Sequence, residues 1–311
     1  MSEKPELSVI IPVFNEAGSL AELYNRLLPV IKAQAASYEI IFVDDGSSDG
    51  SLSAIEELAK QDHAVKAVSF SRNFGHMIAL SAGLDKASGR AVITMDADLQ
   101  HPPELIPELM AKWKAGAQVV NTRRGKGKGV GFFKRITAGI FYWLINRIAK
   151  VNLPANAADY RLLDEKVVAT LKQVRERSRF LRGLIRWVGF KQEFVDYQPD
   201  KRFAGRTKYS VSRMIAFAID GITSFSTFPL RLATYIGSCI AFLGALYIIY
   251  ALYVRFFTDQ AIEGWASVLI AVLFIGGVQL VFLGILGEYL GRVFEEVKAR
   301  PLYIINKQIG F

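Results

Sequence analysis

Asp96-Ala97-Asp98 places two carboxylates one residue apart, next to the apolar run Ala91-Val92-Ile93-Thr94-Met95. Such a run reads as a buried parallel strand, so both acids fall at the strand end, where open α/β sheets bind ligands. Two carboxylates there repel each other and lose solvation, and a divalent cation carrying phosphate oxygens offsets both effects. Solvated acids in a polar loop are the alternative reading. Glu39 to Val43 is a second apolar run that ends in acids, Asp44-Asp45, followed by Gly46-Ser47-Ser48-Asp49-Gly50. A third, Leu7 to Ile11, runs into Pro12-Val13-Phe14-Asn15-Glu16 and brings one more carboxylate to the same rim. Softer ligands are set aside, because His63, His76 and His101 are scattered and one cysteine cannot build a zinc site.

The elements that would position these acids follow from hydrophobic period. Helix-period segments at Leu20 to Ala35, Ser51 to Lys60, Met77 to Ala87 and Glu104 to Ala115 alternate with apolar runs near Leu7, Ile40, Val65, Val92 and Val119. This alternation predicts an α/β fold with a mostly parallel sheet covered on both faces. The basic loop Gly125-Lys126-Gly127-Lys128-Gly129-Val130-Gly131 lacks the Gly-Lys-Ser/Thr ending of a phosphate-binding P-loop.

Four pieces of this region, SVIIPVFNE, EIIFVDDGSSDGS, SFSRNFGH and ITMDADLQHPPE, fill the first 105 residues. In order and spacing they resemble the family 2 glycosyltransferases of the GT-A, Rossmann-like fold. The resemblance implies a nucleotide-sugar donor, with Pro12, Phe14, Glu16, Asp45 and Arg72 around base and ribose and Asp96 at the donor phosphates. It also implies Mg2+ or Mn2+ held by Asp98 with Asp96 and Gln100, neutralising the departing nucleoside diphosphate. Ala157 to Leu162 aligns with a family segment that usually reads Gly-Asp-Phe-Arg-Leu and supplies the acid facing the acceptor. Ala158 replaces the glycine and Asp159 keeps its place as the catalytic candidate. The alternative for Asp159 is a cap before a helix from Leu162 to Leu171. Arg179 to Phe190 and Arg202 to Ser210 match the polyprenyl-phosphate branch, similar to dolichyl-phosphate-mannose synthases and bactoprenol glucosyltransferases. Arg202 and Lys208 are then expected at an anionic acceptor headgroup, Arg by bidentate contact and Lys as a point charge.

Hydropathy is uneven along the 311 residues. No charge occurs from Leu232 to Val254 or from Trp265 to Gly287, and each stretch reaches the roughly 20 residues a bilayer crossing needs. Two transmembrane helices are expected, with two buried core helices as the alternative. Gly237, Gly244, Gly276, Gly277 and Gly284 suit close helix packing in lipid and are compatible with a homo-oligomer. The early apolar stretch is short and interrupted by Pro12, which argues against a signal peptide. Arg231, Arg292, Lys298, Arg300 and Lys307 flank the outer span ends, while the connection from Arg255 to Gly264 sets one Arg against Asp259 and Glu263. The positive-inside rule then puts both termini and the catalytic half in the cytoplasm, at the inner membrane. Cys239, alone and within a span, forms no intramolecular disulfide.

The net charge of +9 is thereby assigned to membrane lipid rather than nucleic acid. The segment 131–149 is rich in Phe, Tyr, Trp and basic residues and reads as an interfacial helix, or as one packing on the catalytic domain or a neighbouring subunit. The expected division is a glycosyltransferase domain over 1–210, a juxtamembrane helix over 211–228, two spans within 229–290 and a cytoplasmic tail over 291–311.

These readings converge on inverting, metal-dependent transfer of one hexose, foremost glucose from UDP-glucose, to a polyprenyl phosphate such as undecaprenyl phosphate. A GDP-mannose-dependent mannosyltransferase is the enzymatic alternative. A noncatalytic nucleotide- or lipid-binding membrane protein is the alternative of another class. A processive polymer synthase fits less well, because Gly183 stands where such enzymes carry the Gln of Gln-x-x-Arg-Trp.

Overall fold

The computed structural model describes residues 4–125, 157–177, 179–198, 226–257 and 264–311. The segments 131–149 and 199–225, and with them Arg202, Lys208 and nearly all of the expected juxtamembrane helix, lie outside the described residues. So do most of the Gly-Lys loop and most of the connection between the spans.

The first of two compact units is built on one eight-stranded sheet. Its elements are β1 (Leu7–Val13), α1 (Leu20–Gln34), β2 (Tyr38–Asp44), α2 (Ser51–Gln61), β3 (Val65–Phe70), α3 (His76–Lys86), β4 (Ala91–Thr94), a short 3-10 turn (Pro103–Leu105), α4 (Ile106–Lys114) and β5 (Val119–Arg124). Then come β6 (Ala157–Asp164), α5 (Glu165–Gln173), α6 (Leu181–Trp187), β7 (Gln192–Tyr197) and, after two long helices, β8 (Ile305–Ile309). The order is β7-β5-β6-β4-β1-β2-β3-β8. The block β4-β1-β2-β3 is parallel, as is the pair β5 and β7, but β6 runs antiparallel to both its neighbours and β8 antiparallel to β3.

Alternation along the central strands fixes both layers. Val9, Ile11, Ile40 and Phe42 join Leu20, Leu23, Leu27 and Ile31 of α1, Ile55 of α2 and Leu109 of α4 in one core. Ile10 faces the other way, toward α3, where a Cβ on Gly83 would come within 2.2 Å of the Ile10 side chain. Glycine at 83 is what lets α3 lie against β1.

Three strands were not legible in the alternation of short apolar runs. The helix expected to start at Leu162 begins only at Glu165, capped by Asp164, whose side chain accepts from Lys166 N–H. Asp159 is therefore a strand residue and not a cap. β8 falls inside the segment read as a tail, because its polar Asn306-Lys307-Gln308 sequence carries little apolar signal.

At the sheet edge opposite the strand-end acids, Glu39 is 2% exposed and accepts from Ser8 Oγ, Lys66 Nζ, Ser88 N–H and Ser88 Oγ. Burial pushes its carboxyl up, but Lys66 and the serine donors outweigh burial and leave it below its ordinary value. Glu39→Ala strands these donors, so it is expected to destabilise the protein by about 2–4 kcal/mol. Thermal unfolding in detergent measures this, and nucleotide affinity at temperatures below the transition is expected to stay unchanged.

The second unit holds α7 (Phe228–Phe257) and α8 (Trp265–Val297), of 30 and 33 residues. Both contain stretches long and apolar enough to cross a membrane, with mean hydropathy 2.0 and 2.4. Neither stretch is buried by protein, which argues against the alternative of two soluble core helices. Tyr289 O–H donates to Ser226 O at 2.6 Å within this unit. α8 continues ten residues past the expected span end, through Glu288, Arg292 and Glu295 to Val297.

Candidate active site

Strands β1, β2 and β4 run parallel, so Val13, Asp44 and Thr94 end on one edge. Pro12 is accommodated in this central strand because the β4 ladder stops at the Ile10–Thr94 pair, beyond which no partner needs its missing N–H. β6 enters the same edge from the opposite direction, pairing Arg161 with Thr94. Thr94 Oγ1 donates to Asp159 O at 2.5 Å. Antiparallel entry thus brings an acid from residue 159 beside acids from residues 96 and 98.

The turns after β1 and β2 are stitched together by polar side chains. Asp49 accepts from Ala17 N–H and from Ser51, and Asn15 Oδ1 accepts from Ser48 N–H. Asn15 adopts φ 58°, the left-handed conformation that Asn tolerates. Glu16 N–H donates to Ser51 Oγ, and Ser19 Oγ reaches the Glu16 carboxylate at 3.3 Å. Phe14 is 47% exposed, an uncovered aromatic at the strand end.

The acids of β2 face inward. Asp44 accepts from Ser47 N–H and Ser69 Oγ. Asp45 accepts from Phe74 N–H at 2.6 Å and Gly75 N–H at 2.9 Å. Burial raises the Asp45 carboxyl above its ordinary value, these N–H donors oppose the rise, Asp44 adds to it and His76 counters it. Gly46, at φ 69°, lies so close to the same loop that a Cβ would come within 2.5 Å of Arg72 C. Arg72 lies over the Phe74 ring at 4.0 Å. Asp45 and Arg72, both expected around the base and ribose, thus meet in one loop of residues 72–75, which Asp45 holds in place.

The acids after β4 are arranged differently. Asp96 N–H donates to Nδ1 of His101 at 2.9 Å, so this imidazole carries its proton on Nε2 if neutral. Burial lowers the His101 pKa against the opposing pull of Asp96 and Asp98, and its ring stacks on Tyr160. Asp96 Oδ1 is buried without a hydrogen-bond partner, facing His76 Nε2 at 3.5 Å. Asp98 Oδ1 accepts from Gln100 N–H across Leu99, a residue at φ 62°. Gln100 does not point its oxygen freely at a cation, since Oε1 accepts from Arg124 Nη2 at 2.6 Å. The donor set suits a hard cation that takes one or two carboxylates and completes its shell with phosphate oxygens. Among the described residues no group of three His, Cys, Asp or Glu side chains is placed to hold a metal unaided.

Asp159 is 8% exposed and clamped by two arginines. Arg161 Nη2 reaches Oδ1 at 2.7 Å, while Arg182 donates from Nε to Oδ1 at 2.9 Å and from Nη2 to Oδ2 at 2.7 Å. Burial alone would raise the Asp159 carboxyl, but Arg182, then Arg161, hold it well below the carboxylate range. Arg161 lies two residues along β6 and so shares a face with Asp159, a signal available in the sequence. Arg182 arrives from α6, and His76 and His101 converge on Asp96 from α3 and the turn after β4. No local pattern announces these three.

Profile comparison matches residues 8–171 to Glycosyl transferase family 2 and residues 228–293 to the GtrB C-terminal hairpin. The chain is 46% identical over 310 residues to the uncharacterized glycosyltransferase YkcC of Bacillus subtilis, covering 100% of this chain and 96% of that one. It is 43% identical over 302 residues to the bactoprenol glucosyl transferase of Shigella phage SfII, covering 97% and 98%. Among solved structures, the glucosyl-3-phosphoglycerate synthase of Mycobacterium tuberculosis with Mn2+, UDP-glucose and phosphoglyceric acid is 18% identical, covers 70% of this chain and 78% of its own, and has a TM-score of 0.48. That last likeness is too distant to say anything of ligands. With one family matched across more than half of the chain and relatives above 40% identity along nearly all of it, the protein belongs to glycosyl transferase family 2 and is a glycosyltransferase.

Proposed function

We propose that this glycosyltransferase moves a single hexose, foremost glucose from UDP-glucose, onto a polyprenyl phosphate held at the membrane surface. The observation that carries the reading is the similarity to bactoprenol glucosyl transferases, which runs through the two apolar helices as well as the strand-end acids. A polyprenyl acceptor stays in the bilayer, so an enzyme acting on it gains from its own anchor. With both termini on the cytoplasmic side of the inner membrane, the catalytic unit meets its donor where nucleotide sugars are made.

The donor's uridine is assigned to the rim formed by Pro12, Phe14, Glu16 and the 72–75 loop. Asp96 and Asp98 would hold Mg2+ or Mn2+, which supplies positive charge to the diphosphate oxygens of the donor. Buried Asp96 Oδ1, with no hydrogen-bond partner, supports that role. Gln100 serves this site through its tie to Arg124. Arg202 and Lys208 are assigned to the acceptor headgroup.

A phosphate monoester loses its second proton near pH 6, so at neutral pH the acceptor is already largely dianionic and needs no strong base. Asp159 is a poor one, because its two arginines keep it ionised. Its part is to hold Arg182 in place at the acceptor side of the site. An acceptor oxygen then forms its bond to the anomeric carbon as the bond to the diphosphate oxygen breaks on the opposite face, with inversion. A retained configuration would contradict this.

The donor reading is tested by incubating the detergent-purified protein with undecaprenyl phosphate and a panel of radiolabelled UDP- and GDP-sugars. Label is expected to enter the organic-extractable fraction from UDP-glucose, only when the lipid phosphate is present, and to stop on addition of EDTA. Label from GDP-mannose instead would move the assignment to mannosyl transfer.

A further inference from the structure

Residues 301–311 follow α8 in sequence yet belong to the compact unit built on the sheet. Besides pairing β8 with β3, this segment lays Tyr303 flat against Phe70, with ring centroids 5.0 Å apart and planes at 21°. The Tyr303 hydroxyl donates to Asp85 Oδ2 at 3.0 Å, and that carboxylate also accepts from Arg175 at 2.8 Å. Ser71 N–H donates to Ile304 O at 3.0 Å. The ring is thus fixed at its face and at its hydroxyl.

Phe70 is the last residue of β3 and only 2% exposed. Its ring meets Phe74 edge to face, with centroids 5.6 Å apart at 85°. Phe74 is the residue whose N–H is held by Asp45 and whose ring lies beneath Arg72. The loop from Ser71 to Gly75 has no helix or strand of its own. Its fixed points are the Asp45 carboxylate, the close approach of Gly46, the Ile304 carbonyl and the aromatic contact through Phe70. Two of these four come from the carboxy-terminal segment, directly or through one ring.

We propose that the segment 301–311 is a positioning element of the donor site, with Tyr303 acting through Phe70 and Phe74 to hold the 71–75 loop in the conformation that receives the nucleotide. This rests on the assignment of Asp45 and Arg72 to the nucleotide pocket. Tyr303 touches neither donor nor acceptor in this scheme. Chain that follows a membrane-crossing helix becomes part of the nucleotide pocket's frame, so an enzyme cut after the hairpin would fold its sheet with a looser donor loop.

The test uses full-length protein in detergent, with UDP and Mn2+ as the probe and calorimetry as one readout. Tyr303→Ala is expected to weaken UDP binding about three- to tenfold, the size set by one aromatic pair, and to raise the donor KM more than it lowers kcat. Tyr303→Phe keeps the stack and is expected to retain UDP affinity. Lys307→Ala, in β8 of the same segment, removes the ion pair to Glu56 of α2 and is expected to leave affinity unchanged. Hydrogen exchange of the 71–75 amides, measured without nucleotide, is expected to speed up in Tyr303→Ala alone. Unchanged affinity and unchanged exchange in Tyr303→Ala would overturn the proposal, whether or not its melting temperature falls. So would a Phe variant as impaired as the Ala variant. If the unsubstituted protein bound no UDP, the donor assignment would fall, and the exchange rates would still decide whether Tyr303 orders the loop.

Discussion

Asp96→Asn is expected to reduce turnover by roughly a hundredfold or more while leaving thermal stability unchanged or slightly higher. The two effects separate because of how this side chain is placed. Asp96 Oδ1 is buried, makes no hydrogen bond and sits 3.5 Å from His76. A carboxylate oxygen kept in that state is unfavourable for folding, so neutralising it removes a penalty. In the proposed assignment the Asp96 carboxylate shares a cation with donor phosphates, so neutralising it is expected to remove the function. Backbone geometry should survive, because the hydrogen bond to His101 is made by the Asp96 N–H, which the substitution keeps. Turnover and thermal unfolding on the same preparation measure both effects. A variant that lost activity only by losing stability would contradict the assignment.

Asp159→Asn is expected to behave in the opposite way, losing activity and about 3 kcal/mol of stability together. Removing one partner from a buried charge cluster typically costs about 3–5 kcal/mol, and the lower end applies because Arg182 is 30% exposed. The variant would leave Arg161, only 4% exposed, with a neutral amide in place of its counter-ion. The pH dependence follows from the direction of the shift. Asp159 is held below its unfolded value, so its stabilising contribution is complete above an unfolded pKa of about 4. It drains away as pH falls from there toward the lower folded value. In the pH range near 6–8 the Asp159 carboxylate should contribute no titration to kcat. Denaturant unfolding from pH 7 down to pH 3, compared between the two proteins, is expected to show their stability difference shrinking with acidity. A difference that grew with acidity would refute the clamp.

The core of the catalytic unit was legible because its strands are local apolar runs ending in acids. Asp44, Asp45, Asp96 and Asp98 could be placed on one sheet edge from parallel alternation alone. What each acid does there was not legible. Asp44 and Asp45 look equivalent in sequence, yet Asp44 accepts from Ser47 N–H and Ser69 Oγ while Asp45 accepts from the backbone of the 72–75 loop, and Asp96 is left with an unsatisfied oxygen. Histidines set aside as scattered converge on that acid, since residues 76 and 101 are distant in sequence but adjacent at the sheet edge. β6 escaped because its Asp-Tyr-Arg segment alternates charge with bulk, and β8 because a polar edge strand resembles a tail. Both strands are defined by their neighbours in the sheet rather than by their own composition.

Mass spectrometry of the lipid recovered from purified protein, undecaprenyl phosphate, UDP-glucose and Mg2+ tests the central claim most directly. The expected product is undecaprenyl phosphate heavier by one hexose residue, absent when Asp96 is Asn. An unchanged lipid in the presence of every UDP- and GDP-sugar, or a ladder of successive hexose additions, would contradict transfer of a single sugar to a polyprenyl phosphate.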